Sequence, residues 1–427
     1  MSAPVLECVR CGAAHPADAY DGPCRVCAPD VVAALTLRRT DAAPVPPTRA
    51  ALALGPRSMW RFAHTLPVPA EAAVSLGEGM TPLLRLERLG QALKLPGLMA
   101  KVEGTNPTGS FKDRLASSAI SSARRFFDAR VVVSSSTGNA GVAAAAYATR
   151  AGMHCVVIVP RGVSPPMLAQ LSAFGAVLLQ VPDKESRWPL MAEAVRRFGW
   201  FPTSPFTAPP FGSNPYGVEG YKTLAWEIAQ DMDWDVPEWI VAPVCYGDAL
   251  FGMWKGFDEL LRMGWIARMP RLVAAEIYGS LGAALASGAD QPPMMPQPYP
   301  TAAASITAGQ STHQALAALR RSDGRALRVS EAAFAEARAG MARREGLFVE
   351  QSAAVGVAAA AMLAGDPAYR PGDRVVALLT AEGLKDRIDP AALETGIVDA
   401  ADGLDPALEA LARRGGPDLR TAGTVSA

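Results

Sequence analysis

A lysine that leaves a turn punctuated by glycine and proline can be held inside a cleft instead of in solvent. The segment Glu103-Gly-Thr-Asn-Pro-Thr-Gly-Ser-Phe-Lys112-Asp-Arg114 has that form. Gly104, Asn106, Pro107 and Gly109 predict a tight turn, and Lys112 opens the helix after it. An ammonium at a helix N-terminus opposes the macrodipole, which lowers its pKa. A lowered pKa suits a lysine that must condense with a carbonyl. Taken alone, a surface lysine starting a helix is the simpler reading, but three further turns accompany it. Ser135, Ser136, Thr137, Gly138 and Asn139 follow an apolar run and open another helix. Small polar residues at such a turn aim several backbone N–H groups at one point, which suits a carboxylate or phosphate. Cys245, Tyr246, Gly247, Asp248 and Ala249 form a second such cradle, though one poor in glycine. Thr380 ends the last apolar run, where open α/β sheets bind their ligands.

Cysteine supplies a different chemistry. Cys8, Cys11, Cys24 and Cys27 form two C-x-x-C pairs with twelve residues between them, the spacing of a zinc ribbon. Gly12, Gly22 and Pro23 are the turn residues that such knuckles need. Disulfides are the rival reading, disfavoured in a cytosolic chain. Four thiolates leave no open metal position, so the zinc is expected to be structural. Cys155 is expected to be a small core residue.

The elements that must position these residues alternate strand and helix. Apolar runs at 130–134, 155–159, 176–181, 239–244, 272–277 and 374–380 read as buried strands. Helical patterns at 140–151, 166–174 and 252–263 separate them. Continuous apolar strands spaced by helices imply βαβ units and parallel sheets. The stretch 200–210, aromatic and proline-rich, reads as a packed loop lining the cleft, and 290–300 as a proline-rich loop. With 427 residues, two or three domains are expected. Lys plus Arg number 41 and Asp plus Glu number 41, which argues against a nucleic-acid protein and against a polybasic membrane anchor. No basic segment followed by an apolar one marks a signal peptide, and no apolar run spans a bilayer. A cytoplasmic chain is expected. Four histidines make a His-based relay an unpromising mechanism.

Five segments occur in a distinctive order: Gly77-Glu-Gly-Met-Thr-Pro82, NPTGSFKDR, STGNAG, Glu219-Gly-Tyr-Lys-Thr223 and Thr380-x-x-Gly-Leu-Lys-Asp386. Over residues 71–388 the chain resembles the threonine synthases among the fold-type-II (tryptophan synthase β-like) pyridoxal-phosphate enzymes. The resemblance implies that Lys112 holds the cofactor and acts as base, that Asn139 bonds the 3′ oxygen, and that Thr380 faces the pyridine nitrogen. A threonine hydroxyl cannot protonate the ring, so the electron sink is weaker than with a carboxylate, which suits elimination. The loop Cys245, Tyr246, Gly247, Asp248 and Ala249 would hold the cofactor phosphate. Thr81, Ser136, Thr137, Gly138 and Asn214 would bind the amino-acid substrate. Gly217 and Met167 stand where the family tends to carry Arg and Lys, leaving Asn214, Lys222 and backbone donors for a substrate phosphate. Asp248 beside a phosphate demands that its carboxylate turn away or pair with a base.

The expected architecture is α/β: two doubly wound parallel-sheet domains with the cofactor in the cleft between them, plus an N-terminal zinc-ribbon-like segment. The boundaries are 1–30 for the ribbon, 31–70 for linker and helices, 71–105 with 216–390 for the large domain, 106–215 for the small one, and 391–427 for a helical tail. The expected reaction takes O-phospho-L-homoserine and water to L-threonine and phosphate, in a homodimer. The rivals are a β-eliminase or β-replacement enzyme on another small amino acid, and a non-catalytic cofactor-binding protein whose ribbon docks a partner.

Overall fold

The structure is a computed structural model that describes residues 5–17, 20, 22–27, 31–38, 47–136, 138–297, 300–386, 398, 401 and 404–414. The chain divides into two compact units, Met1–Asp386 and Arg387–Ala427. In the second unit the described element is the helix Leu404–Arg413. Most of the expected tail lies outside the described residues, as does Thr137.

The first unit holds three sheets. Strands β1 (Val5–Cys8), β2 (Ala14–His15) and β3 (Leu35–Arg38) make a small antiparallel sheet in the order β2-β1-β3. Its third strand lies beyond residue 30, in the stretch expected to be linker. Strands β4 (Leu83–Arg85) and β5 (Leu98–Val102) begin the largest sheet. The chain then leaves to build β6 (Val131–Ser134), β7 (His154–Pro160), β8 (Val177–Val181) and β9 (Phe201–Pro202), a parallel sheet in the order β8-β7-β6-β9. It returns for β10 (Trp239–Pro243), β11 (Arg271–Glu276), β12 (Arg325–Arg328) and β13 (Val375–Leu379). The six-stranded order is β12-β11-β10-β13-β5-β4, parallel except for the edge strand β4.

The apolar runs are continuous because both faces of each central strand are covered. Ile240, Ala242, Leu272, Ala274, Val376 and Leu378 face one core, with the helices Lys222–Asp231, Asp248–Arg262 and His313–Arg321. Trp239, Val241, Val273, Ala275, Val375 and Ala377 face the other, with the helix Gln351–Met362. The four-stranded sheet repeats the pattern. Val132, Cys155, Val157 and Val159 pack on the alanine-rich helix Asn139–Arg150, which places Cys155 in the core. Val133, Val156 and Ile158 share a core with Leu6, Leu35 and Leu37 of the small N-terminal sheet.

The strand and helix ends fall within a residue or two of the sequence expectation, with one informative exception. The helix expected at 252–263 starts at Asp248, because Gly247 takes a left-handed conformation (φ 88°) that lets the chain enter the helix directly from β10. A Cβ at Gly247 would stand 2.2 Å from the Cβ of Ala315, so no other residue fits. The first turn of this 15-residue helix therefore opens at the carboxyl end of a central strand.

Candidate functional site

The turn before Lys112 is fixed from several sides. Asn106 donates from Nδ2 to Glu103 O and Oε2 at 2.8 and 2.9 Å, and its Oδ1 accepts from Gly79 N at 2.9 Å. Asp113 accepts from Thr108 N at 2.7 Å and from Thr108 Oγ1 at 2.5 Å, closing the loop ahead of the helix Lys112–Phe126. Gly109 (φ 77°) lets the turn pass the Glu382 side chain, where a Cβ would meet Oε1 at 2.7 Å. Lys385 donates to Thr108 O and, at 3.2 Å, to Gln170 Oε1.

Two residues beyond Lys112, a buried ionic knot anchors the helix. The Arg114 guanidinium donates to both oxygens of Glu103 (2.7 Å each) and to both of Glu227 (2.6 and 2.8 Å). Lys101 adds pairs to Glu227 at 3.1 Å and Asp231 at 2.8 Å. Arg114, Lys101, Glu103 and Glu227 are each 0 % exposed. Burial is the largest influence on the Glu227 carboxyl and pushes its pKa up, but Arg114 and Lys101 outweigh it and hold it at about 2. Such a knot is strong evidence for a fixed geometry and weak evidence for net stability.

With its turn and helix fixed, Lys112 faces a cleft of about 130 Å³ that opens to solvent. Part of the side chain remains exposed, yet the amine is enclosed: Nζ lies 4.5 Å from the Phe111 ring centre and 5.7 Å from that of Tyr221. Burial holds its pKa below the usual lysine value, with Asp248, Cys245 and Glu350 opposing the shift. The lowered pKa matches the sequence expectation, and its first cause is desolvation.

Asn139, Ser136, Gly138, Cys245, Tyr246, Gly247, Asp248, Ala249 and Thr380 all line this cleft with Lys112, as do Ser204 and Pro205 of the proline-rich loop. Asp248 turns its carboxylate aside: it accepts from Ser213 N (3.0 Å), Ser213 Oγ (2.6 Å) and Gln314 Nε2 (2.6 Å). The backbone of the same loop is pinned by Ser311 Oγ to Cys245 O (2.8 Å) and Thr312 Oγ1 to Tyr246 O (2.7 Å). Asn139 donates from Nδ2 to Glu350 Oε2 at 3.0 Å, while its buried Oδ1 and the buried Ser135 Oγ have no partner among the described residues.

Two expected substrate contacts lie elsewhere. Thr81 donates its hydroxyl to Glu103 Oε1 at 2.6 Å and belongs to the ionic knot. Asn214 caps the short helix Pro215–Val218 through Tyr216 N (3.0 Å) and donates to Pro202 O (2.8 Å). Neither is among the residues lining the cleft. Lys222 is also committed, to Glu219 and Glu259 at 2.7 Å each. Gly217 packs on Leu115, whose Cγ would be 2.9 Å from an added Cβ, and Met167 sits in the core at 4 % exposure. Both positions are internal here, so their lack of charge says little about the cleft.

Sequence reasoning missed three charged lining residues. Glu350 is buried, accepts from Ser305 Oγ and Asn139, and its carboxyl is pushed up to about 7 by burial. Lys184 and Arg187 follow the carboxyl end of β8 and enter the same cleft. Their signal was positional: two cations just past a parallel strand.

At the other end of the unit, the four cysteine sulfurs lie within 4.8 Å of one another. Cys8 Sγ is 3.4 Å from Cys27 Sγ, and Cys11 Sγ is 3.8 Å from Cys24 Sγ. No helix among the described residues is long and apolar enough to cross a membrane.

The geometry agrees with comparisons to known proteins. The pyridoxal-phosphate dependent enzyme family matches residues 74–381. The threonine synthase of Methanocaldococcus jannaschii is 33% identical over 77% of this chain and 80% of its own length. That of Methanosarcina acetivorans is 31% identical over 89% of this chain and 92% of its own. Among solved structures, maize serine racemase superposes with a TM-score of 0.63 at 20% identity, covering 79% of this chain and 95% of that one. An L-serine ammonia-lyase from Rhizomucor miehei gives 0.62 at 20% identity, covering 74% and 96%. The last two speak to the fold alone. Together with the lysine-bearing cleft at the carboxyl ends of two parallel sheets, these matches place the chain in the pyridoxal-phosphate dependent enzyme family, as a threonine-synthase-like member.

Proposed function

We propose that the protein is a lyase of threonine synthase type, taking O-phospho-L-homoserine and water to L-threonine and phosphate. One observation carries this reading: Lys112, Asn139, the 245–249 loop and Thr380 come from different elements of two sheets and line one cleft. The cleft suits pyridoxal phosphate. It offers an enclosed amine, an unpartnered buried Asn139 Oδ1, and a left-handed glycine that opens a long helix towards a phosphate.

In this reading Lys112 holds the cofactor, Asn139 and Thr380 face its 3′ oxygen and its pyridine nitrogen, and the backbone of 245–249 takes its phosphate. The bound cofactor supplies an electron sink for bond breaking at Cα. The chain supplies the rest. Burial keeps more of the Lys112 amine neutral than an exposed lysine would allow, so it can accept the Cα proton. Ser136, Gly138 and, by expectation, Thr137 receive the substrate carboxylate at the start of the helix Asn139–Arg150. Asp248, facing Ser213 and Gln314, leaves the anion cradle free of a competing carboxylate.

The reading is tested by incubating the holoenzyme with a panel of amino acids and their phosphate esters and identifying products. Threonine from the homoserine ester supports it. Turnover of serine or threonine to an oxo acid, with the ester untouched, would replace it with a dehydratase.

The cysteine cluster is assigned, in the same reading, to structural zinc. A tetrahedron of zinc–thiolate bonds of about 2.3 Å has edges of about 3.8 Å. The sulfur separations of 3.4 and 3.8 Å are close to that. Backbone N–H groups of Arg10, Cys11 and Val26 point at the sulfurs at 3.4 Å each, as thiolates require.

A further inference from the structure

Lys184 and Arg187 carry charge into the cleft and close no salt bridge there: Glu185 attracts both but pairs with neither. Neither makes an ion pair among the described residues, whereas the buried Lys101, Arg114 and Lys222 each do. Lys184 donates from Nζ to Thr307 O and Oγ1 at 3.1 and 3.0 Å, both uncharged acceptors. Arg187 donates from Nε to Lys184 O at 3.0 Å and from Nη1 to Ser135 O at 3.4 Å. Arg187 is 4 % exposed. It also begins the helix Arg187–Phe198, where the macrodipole opposes a cation.

Each feature is costly. A buried guanidinium without a counter-ion keeps its desolvation penalty unrepaid, and a helix N-terminus adds to it. Burial accordingly depresses the pKa of both groups. Both residues nevertheless line the same cleft, and Arg187 reaches Ser135, whose buried hydroxyl has no partner among the described residues. A site with two cations, a spare hydroxyl and no carboxylate in contact is incomplete without an anion. The fork of Arg187 fits carboxylate and phosphate alike, but the two cations together match the charge of a dianion better than that of a monoanion.

We propose that Lys184 and Arg187 clamp a dianionic phosphate monoester. On the threonine-synthase-type reading, on which this assignment of the source rests, that monoester is the leaving group of the substrate. The cofactor's own phosphate is the other source of the same chemistry in the cleft.

The test uses the holoenzyme and the variants Lys184→Gln, Arg187→Gln and the charge-keeping Arg187→Lys, each checked by thermal melting. Inorganic phosphate and methyl phosphate are titrated against the absorbance of the bound cofactor, and the rate of cofactor loss on dilution is measured separately. The proposal expects the Gln variants to weaken phosphate binding about tenfold or more, the size of a lost charge-assisted bond, with Arg187→Lys retaining most of it. It expects their melting temperatures to hold or rise, because an unpaired buried charge has gone. Loss of phosphate affinity with unchanged cofactor retention assigns the clamp to the leaving group. Cofactor loss about tenfold faster, with phosphate affinity unchanged, assigns it to the cofactor. Unchanged affinity and unchanged retention in both Gln variants would overturn the clamp. Phosphate binding lost in the variants, while wild type fails to turn over O-phosphohomoserine, would keep the clamp and overturn the threonine synthase reading.

Discussion

The backbone N–H of Phe111 donates to the carbonyl of Thr380 at 2.9 Å. One residue past Phe111 stands the lysine, and the side chain of Thr380 lines the same cleft. With the bond from Glu382 N to Gly109 O at 3.1 Å, the Phe111 bond frames the bridge between Ser110 and Ala381, and the two main-chain bonds register the turn of one segment against the end of the last strand of another. The two residues proposed to face opposite parts of the cofactor are held by backbone, which positions more rigidly than side-chain contacts would.

That registration makes Lys112 the expected point of covalent attachment. Borohydride treatment followed by peptide mass analysis should find the cofactor on Lys112. Lys112→Ala should abolish attachment and lower kcat by at least about a hundredfold, the size of a lost general base. A reducible attachment surviving in the variant would move the anchor to another lysine.

Arg114 is expected to matter for folding before catalysis. Arg114→Met removes the cation that joins Glu103 to Glu227, leaving Glu227 its pair with Lys101 and Glu103 none among the described residues. Breaking a buried pair from one side costs about 3–5 kcal/mol. Denaturant unfolding should show a loss of that order. A loss within about 0.5 kcal/mol would mean that water or a shifted side chain satisfies the carboxylates.

Glu350 predicts a pH dependence of stability. Burial raises its folded pKa to about 7, above the ordinary value of 4.5, with the Ser305 hydrogen bond opposing and Asp386 adding to the shift. The native state therefore binds the extra proton, and stability falls as pH rises from about 4.5 to 7. Asp113, raised from 3.8 to about 7 by burial, adds a slope of the same sign. Glu350→Gln should remove its own share, on the order of 2 kcal/mol, so the variant gains on wild type between pH 5 and 8. A stability difference constant across that range would show that Glu350 titrates normally.

The cysteine cluster should hold about one zinc per chain, measured by elemental analysis of protein kept reduced. Cys11→Ser, at an exposed sulfur, should lower that content while leaving cofactor absorbance intact. Deleting the whole segment is the poorer test, because Leu6, Leu35 and Leu37 share a core with Tyr216 and Ile158 of the small sheet's lobe. Metal near zero in wild type would refute the zinc assignment.

What could be read from the sequence follows physical lines. The parallel strands were legible because strands covered on both faces must be apolar throughout, as Trp239–Pro243 and Val375–Leu379 are. The lysine turn was legible because Gly109 and Asn106 have local conformational reasons to be there. The direction of a side chain was not. Asp248 turns onto Ser213 and Gln314, residues 35 and 66 positions away, which no local pattern states. Thr81 and Asn214 have the chemistry of substrate contacts but are used to hold Glu103 and a helix cap. Lys184 and Arg187 belong to no local motif, and only the packing of their lobe brings them into the cleft.

The most direct measurement is product stoichiometry with O-phospho-L-homoserine as the sole substrate. The account predicts L-threonine and inorganic phosphate in equal amounts, with kcat/KM exceeding that for O-acetyl-L-homoserine by about a hundredfold or more, some 2.7 kcal/mol of discrimination. Phosphate released without threonine, or no preference for the phosphate ester, would contradict it.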